Sequence, residues 1–262
     1  MENLRLTLVQ MDIAWLDRQA NLNYLSKLFL KLKGQTDLVV LPEMFTTGFT
    51  EKSKEFAEPM NGLTIQFLKK MATDNGFAIA GSIIIEEEPS FYNRFLFITP
   101  EQKVYHYDKK HLFRLGGEID NYTAGKSKII IHYKGWNICP QICYDLRFPV
   151  WSRNVNNEYD LLIYSASWPK SRIDVWDSLL KARALENQSF VCGVNRIGID
   201  GNQLIYNGKS ILFDAKGRTM STIEENKEEY QTVNLSKYSL STFRENFPVW
   251  KDSDSFQFIK NL

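Results

Sequence analysis

The stretch that decides how this chain folds is Ile142-Cys143-Tyr144-Asp145-Leu146-Arg147-Phe148-Pro149. It follows an apolar run at residues 136–142 that predicts a strand, and the polar residues after the cysteine predict a turn or the start of a helix. A side chain at such a corner is held rigidly, close to free backbone N–H groups. A nucleophile needs these conditions, so Cys143 is a candidate for catalysis.

The alternative for a single cysteine is a small buried hydrophobic side chain. This alternative suits Cys139, which precedes Pro140 inside the strand, and Cys192, which lies inside the apolar run 190–194. Cys143 differs because polar residues follow it at once. A thiol is only slightly ionised at neutral pH, so attack by Cys143 requires a base or a cation nearby.

One candidate for that base is Glu43, at the end of Leu38-Val39-Val40-Leu41-Pro42-Glu43. The apolar run predicts a buried strand, and a carboxylate that emerges from its end is partly desolvated, which raises its pKa toward a useful value for a base. The alternative is a glutamate on a surface loop. Met44, Phe45 and Phe49 favour the first interpretation, because an apolar loop around a glutamate indicates a pocket.

A cation is available in Tyr107-Asp108-Lys109-Lys110-His111-Leu112-Phe113. Adjacent lysines on a strand face opposite sides, so one of them can point inward, and the alternative is that both are solvated. A lysine held between a carboxylate and a thiol stays charged. It would stabilise the oxyanion of a tetrahedral intermediate together with a backbone N–H, most simply that of Tyr144.

A possible substrate wall follows another buried strand, in Ser165-Ala166-Ser167-Trp168-Pro169-Lys170-Ser171-Arg172. The indole of Trp168 would give the wall its shape, and Arg172 would bind a carboxylate. The alternative is an ordinary loop with one stacking tryptophan. Arg114 is a second candidate for binding a carboxylate, and the sequence does not choose between the two arginines.

Short β-rich runs alternate with helical patterns along the whole chain, which predicts a layered α/β protein. The hydrophobic periodicity at residues 173–187 predicts a helix with Trp176, Leu179, Leu180 and Leu185 on its apolar side. No linker divides residues 1–262, so we expect a single domain. The aromatic-rich tail at residues 243–262 should pack on the body or on a second subunit. Strands are predicted at residues 4–10, 37–41, 77–85, 91–99, 104–107, 129–133, 136–142, 159–165, 190–194, 210–213 and 230–233, and further helices at 19–32 and 63–73.

Composition and charge exclude several classes of protein. The net charge is +1 without a long basic run, which argues against nucleic acid as a partner. No signal peptide or membrane-spanning stretch is evident, so we expect a cytoplasmic protein. Three cysteines, an odd and low number, suit a reducing compartment. The three histidines form no metal-ligand pattern, which argues against a metal enzyme.

Taken together, these motifs resemble the nitrilase superfamily of C–N hydrolases, whose triad is Glu-Lys-Cys. Its Lys-x-His-Leu motif matches residues 109–112 and selects Lys109 over Lys110, which leaves Glu43, Lys109 and Cys143 as the triad. The family's second glutamate, which holds the lysine, corresponds to Glu118. The resemblance covers nearly the whole chain and implies a four-layer α-β-β-α sandwich.

Within the superfamily, residues 107–114, 117–125, 147–154 and 167–169 look most like those of bacterial omega-amidases. Val150 is a departure, since many relatives have an acidic residue there. The resemblance implies hydrolysis of a small α-keto acid amide by water through a thioester, without a cofactor or metal, in a homodimer or larger oligomer. The alternatives are a nitrilase, a carbamoylase, an amidase for deaminated glutathione, or a catalytically silent interaction protein.

Overall fold

This computed structural model describes residues 3–254 and 256–257. The strands are β1 Asn3–Gln10, β2 Leu38–Val40, β3 Ala78–Glu87, β4 Ser90–Ile98, β5 Val104–Asp108, β6 Ile131–Tyr133, β7 Trp136–Ile142, β8 Leu161–Ala166, β9 Phe190–Asn195, β10 Ile197–Ile199, β11 Ile205–Asn207, β12 Ile211–Phe213 and β13 Glu229–Ser236. The helices are α1 Arg18–Leu32, α2 Ser53–Phe56, α3 Leu63–Asn75, α4 Glu118–Asn121, α5 Pro149–Ser152, α6 Ile173–Asn187 and α7 Lys237–Asn246. Short 3-10 turns include Arg114–Gly116, Cys143–Arg147 and Lys170–Arg172.

Two sheets form the centre of the molecule. The first has the strand order β13-β1-β2-β3-β4-β5, and the second has the order β12-β9-β8-β7-β6. Apolar side chains of α1 and α3, such as Phe29 and Leu68, cover one face of the first sheet. The other face, with Leu6 and Phe97, belongs to a core shared with the second sheet and with Trp176 of α6. The layers therefore follow the predicted order of helix, sheet, sheet and helix.

The arrangement of parallel strands determines where polar side chains meet. β2 runs parallel to β1 and β3, while β7, β8 and β9 run parallel to one another. Loops at the carboxyl ends of β2, β7 and β8 carry Glu43, Cys143 and Ser167. The Ser165 hydroxyl donates to the Leu41 carbonyl at 2.8 Å, which ties the two sheets together at this edge. The fold therefore brings these loops to one place, as expected for sites at strand ends.

Most predicted elements agree with the structure, and α6 matches its predicted range. The prediction for Leu185 is wrong: it is 49% exposed, whereas Trp176 and Leu180 on the apolar side are fully buried. At about 100° per residue, Leu185 lies roughly half a turn away from Trp176. The polar side chains of Arg183 and Asn187 are buried instead, because they hold neighbouring loops.

The helix α7 was not predicted and begins before the aromatic tail. The Ser236 hydroxyl accepts from the backbone N–H of Ser239 at its start, and Arg244 near its end donates to the Gln188 carbonyl at 2.8 Å. Phe243 packs against the main core. Residues 255 and 258–262 of the predicted tail lie outside the described residues. Packing of this tail on a second subunit stays a prediction, as does the single-domain organisation of residues 1–262.

No helix in the described part of the chain is long and apolar enough to cross a lipid bilayer. The expected cytoplasmic location stays a prediction.

Candidate active site

Cys143 lies at the corner between β7 and the 3-10 turn Cys143–Arg147. Its φ of 40° falls in the left-handed region, which is strained for a residue with a side chain. The surrounding structure holds this conformation. The backbone N–H of Ile142 donates to Asp145 Oδ2 at 3.1 Å, and Arg183 Nη2 donates to the Leu146 carbonyl at 2.6 Å. The predicted strand-to-helix corner therefore exists and is rigid.

Glu43 is fully buried at the end of β2, so it is not a surface-loop glutamate. Its two carboxylate oxygens have different partners. Oε2 accepts from the backbone N–H of Ser167 at 2.9 Å, and Oε1 accepts from Asn93 Nδ2 at 2.8 Å. These hydrogen bonds fix the orientation of the carboxylate before any substrate binds.

Lys109 points inward between two buried carboxylates. Its Nζ lies 2.8 Å from Glu43 Oε1 and 2.8 Å from Glu118 Oε2, and the side chain is 1% exposed. Lys110 points elsewhere, with its ammonium 5.4 Å from the ring centroid of Trp151. The structure therefore brings Glu43, Lys109 and Glu118 together and leaves Lys110 outside this cluster.

The charges of this cluster determine its protonation. Burial alone would lower the pKa of Lys109, but the Glu118 and Glu43 carboxylates raise it above its usual value, so the ammonium stays charged. Burial raises the pKa of the Cys143 thiol well above its usual range; Glu43 raises it further, and Lys109 opposes the change. Burial also raises the pKa of Glu118, against the effect of Lys109. The resting thiol is therefore protonated and requires a base.

Asp145 connects the segment that carries Lys109 with the corner that carries Cys143. It is fully buried, and its Oδ1 accepts from the backbone N–H of His111 at 2.9 Å. Its Oδ2 accepts from the Tyr107 hydroxyl at 2.8 Å and from the backbone N–H of Ile142. This role was not predicted from the sequence, although a carboxylate three residues after a strand end is a typical cap of a helical turn.

Asn93 is a second residue of this cluster that was not predicted from the sequence. It lies on β4, is fully buried, and its Nδ2 donates to Glu43 at 2.8 Å and to Glu118 at 3.2 Å. Its backbone carbonyl accepts from the backbone N–H of Lys109 at 3.0 Å. An asparagine inside an apolar strand was the available signal, since a buried amide needs hydrogen-bonding partners.

A cavity of about 520 Å³ opens above Cys143. It is lined by Glu43, Phe49, Glu51, Lys109, Phe113, Leu115, Gly116, Gly117, Cys143, Tyr144, Arg147, Ser167, Trp168, Pro169, Arg172, Asn202, Leu204 and Tyr206. The predicted substrate residues Tyr144, Trp168 and Arg172 are among them. Glu118 lies behind Lys109.

Arg114 is exposed and does not line the cavity, unlike its neighbours in the same turn. Arg147, which was not predicted as a site residue, does line it. The Arg147 guanidinium lies 5.0 Å from the Trp168 ring centroid, and that of Arg172 lies 5.3 Å from the Phe113 ring centroid. Besides Lys109, the structure thus offers Arg147 and Arg172 as cations at the cavity, whereas Arg114 is poorly placed to bind a substrate.

Among the described residues, no group of three or more His, Cys, Asp and Glu side chains is arranged to hold a metal ion.

A family model described as carbon-nitrogen hydrolase matches residues 5–245 of the chain. The omega-amidase YafV of Yersinia enterocolitica is 43% identical over 256 residues, which cover 98% of this chain and 99% of the relative. A 2-oxoglutaramate amidase of Bacillus subtilis is 32% identical over 249 residues, covering 93% and 95% of the two chains. A crystal structure from Xanthomonas campestris, a CN-hydrolase superfamily protein with an arsenic adduct in its active site, has a TM-score of 0.96 and 42% identity, and the match covers 98% of this chain and 100% of that one.

The fold and the family match define an enzyme that hydrolyses carbon–nitrogen bonds other than peptide bonds. The chain belongs to the carbon-nitrogen hydrolase family, within the nitrilase superfamily. The predicted family and the predicted α-β-β-α sandwich are both confirmed.

Proposed function

We propose that the chain is an omega-amidase, which hydrolyses the terminal amide of small α-keto acid amides such as 2-oxoglutaramate to the acid and ammonia. The observation that carries this proposal is the Lys109 ammonium held between Glu43 and Glu118 at the floor of a cavity that Cys143, Arg147 and Arg172 also line. The similarity to omega-amidases and 2-oxoglutaramate amidases over nearly the full length supports the choice of substrate.

In the first half of the proposed reaction, Glu43 takes the proton of the Cys143 thiol as its sulfur attacks the amide carbon. The carbonyl oxygen becomes an oxyanion, stabilised by the Lys109 ammonium and the backbone N–H of Tyr144. The C–N bond then breaks, the nitrogen takes the proton from Glu43, and ammonia leaves. The acyl group remains on Cys143 as a thioester.

In the second half, a water molecule replaces ammonia beside the thioester. Glu43 takes a proton from this water, whose oxygen attacks the thioester carbon. The same two donors stabilise the second oxyanion. The C–S bond then breaks, the sulfur takes the proton from Glu43 to restore the thiol, and the acid leaves. Glu118 keeps Lys109 charged and oriented through both halves, because its carboxylate accepts from the ammonium at 2.8 Å.

Recognition of the acid end is assigned to Arg147 and Arg172. An Arg–carboxylate hydrogen bond is charge-assisted and contributes roughly 1.5–3 kcal/mol, or about ten- to a hundredfold in specificity. Trp168 links the two arginines, since its ring lies under Arg147 and its Nε1 donates to the Arg172 carbonyl at 2.8 Å. The cavity would therefore bind a carboxylate at its mouth and an amide at its floor.

A comparison of three substrates tests this assignment: 2-oxoglutaramate, its methyl ester and the corresponding nitrile. We expect kcat/KM for the free acid to exceed that for the ester about ten- to a hundredfold. A better rate with the nitrile would favour a nitrilase, and a better rate with the ester would favour a general amidase. A wider panel that measures ammonia release would reveal a carbamoylase or an amidase for deaminated glutathione. No turnover of any amide would favour the silent interaction protein.

We further propose that the chain is a cytoplasmic, single-domain protein that forms a homodimer or a larger oligomer. The aromatic tail supports the oligomeric state in particular, since Phe247 is 59% exposed and could pack on a second subunit. Sedimentation velocity of the full chain would test the oligomeric state, and a purely monomeric protein at micromolar concentration would contradict it.

A further inference from the structure

The hairpin formed by β10 and β11 contributes three residues to the cavity wall: Asn202, Leu204 and Tyr206. It belongs to neither of the two large sheets and carries no part of the proposed triad. No sequence pattern indicated a role for it. Because these three residues line the cavity, their side chains can contact a bound substrate.

One buried carboxylate organises all three of these residues. Asp200 is 3% exposed, and its Oδ1 accepts from the backbone N–H of Asn202 at 2.9 Å and from that of Leu204 at 3.0 Å. Its Oδ2 accepts from the Tyr206 hydroxyl at 2.9 Å. The two backbone bonds form an Asx-type turn, and the bond from the buried Tyr206 hydroxyl fixes this turn against the cavity wall.

Packing beneath the turn restricts it further. A side chain at Gly201 would place a Cβ 2.1 Å from Trp15 Nε1, so the turn lies directly on this indole. The buried guanidinium of Arg196 lies 4.8 Å from the centroid of the Tyr206 ring. The wall is therefore ordered before a ligand arrives, which lowers the entropic cost of binding.

The hairpin also meets the segment that carries one of the cations. β11 packs against the 3-10 turn Lys170–Arg172, so the hairpin and Arg172 lie on neighbouring parts of the wall. Asn202 supplies a neutral donor there, and Leu204, which is 43% exposed, supplies an apolar surface. Together with a cation, these groups match a short chain that ends in a 2-oxo acid.

We propose that residues 200–206 form the specificity-determining wall for the acid end of the substrate. Asn202 donates a hydrogen bond to the 2-oxo acid group, Leu204 covers the methylene carbons, and Asp200 is a positioning residue that holds both. This inference rests on the proposed omega-amidase function and names the part of the cavity that selects the substrate.

Asn202→Ala and Gln203→Ala provide a matched pair, because both residues are exposed on the same turn and only Asn202 lines the cavity. Two measurements on each purified variant are informative. The first is kcat and KM for 2-oxoglutaramate. The second is the rate at which iodoacetamide alkylates Cys143, with and without the product 2-oxoglutarate as a protecting ligand. Iodoacetamide has no carboxylate, so the alkylation rate without 2-oxoglutarate reports only the reactivity of the Cys143 thiol.

For Asn202→Ala we expect kcat/KM to fall about tenfold, mainly through KM, and protection by 2-oxoglutarate to weaken by a similar factor. Unprotected alkylation should be unchanged, and Gln203→Ala should behave like the wild type. Asp200→Asn should change KM and protection in the same direction as Asn202→Ala. A role of Asp200 in stability alone would lower the melting temperature and leave KM and protection unchanged, which would remove Asp200 from the inference.

Wild-type kinetics for Asn202→Ala would overturn the inference, as would an equal loss in unprotected alkylation. Both results leave the proposed function intact. If the wild-type enzyme neither hydrolyses 2-oxoglutaramate nor is protected by 2-oxoglutarate, the omega-amidase proposal itself is wrong, and the inference is overturned with it.

Discussion

The floor and the mouth of the cavity are built in different ways. At the floor, Glu43 and Lys109 are almost completely buried and bonded to other fixed groups. At the mouth, Leu115 is 87% exposed, and Arg172 and Asn202 lie on short turns. Buried charges need several partners to offset desolvation, and each charged side chain at the floor has at least two of them. Changes at the floor should therefore reduce turnover of every amide, whereas changes at the mouth should alter the choice of substrate.

The largest expected effect is a difference in activity between alanine substitutions of two buried cysteines. Cys143→Ala should abolish ammonia release while the protein still folds, because the nucleophile is lost and no new polar group is buried. Cys192→Ala is the matched control, since Cys192 is fully buried within β9, away from the cavity. It should lower the melting temperature slightly and retain activity. Substantial turnover by Cys143→Ala would exclude the thioester mechanism.

Two adjacent lysines give the next test of the floor. Lys109→Ala should raise the activation free energy for all amides by about 3–4 kcal/mol, because an oxyanion donor is lost. Lys110→Ala should have a small effect, since its ammonium lies over Trp151. Lys109 also opposes the upward shift in the pKa of Cys143. The rate of Cys143 alkylation in Lys109→Ala should therefore rise at higher pH than in the wild type.

Equal activity losses in the two lysine variants, or an alkylation profile that moves to lower pH, would contradict the assigned role of Lys109.

Asp145 tests whether the floor depends on its supporting hydrogen bonds. Asp145→Asn replaces a carboxylate that accepts from Tyr107, Ile142 and His111 with an amide that has fewer acceptor sites. We expect the protein to lose about 1.5–3 kcal/mol of stability and the activation free energy to rise by a similar amount. The pH profile of Cys143 alkylation distinguishes the two roles. A lower melting temperature with an unchanged profile and unchanged kcat would assign Asp145 a structural role alone.

Changes at the mouth should have the smallest effect on catalysis itself, because they alter the preference between substrates. Arg147→Ala and Arg172→Ala should each reduce the preference for 2-oxoglutaramate over its methyl ester, by up to about a hundredfold, while unprotected alkylation of Cys143 stays normal. Arg114→Ala is the control, because Arg114 is exposed and outside the cavity lining. A loss of this preference in Arg114→Ala, with none in the other two variants, would reverse the assignment.

The positions of the floor residues were largely predictable from sequence, since Cys143 directly follows an apolar strand and Glu43 comes three residues after one. Periodicity alone did not choose between Lys109 and Lys110. Adjacent residues on a strand face opposite sides, and the pattern did not show which side faces inward, so the family motif was needed. Asp145 and Asn93 were missed because most of their hydrogen-bonding partners are distant in sequence.

At the mouth, Arg114 and Arg147 both belong to short turns that follow aromatic and apolar residues. Their directions depend on how these two 3-10 turns pack, which local patterns do not reveal. The hairpin at residues 200–206 was missed for the same reason, since its relation to the cavity arises only in the folded chain.

In the proposed reaction, Cys143 at the floor carries a thioester intermediate. The most direct measurement mixes Glu43→Gln with 2-oxoglutaramate, quenches the mixture with acid at successive times, and maps any adduct by intact-protein and peptide mass spectrometry. The variant lacks the base for deacylation, so we predict a slowly formed adduct on Cys143 whose mass equals the substrate minus ammonia. Normal turnover by Glu43→Gln, or an adduct on a residue other than Cys143, would contradict the account.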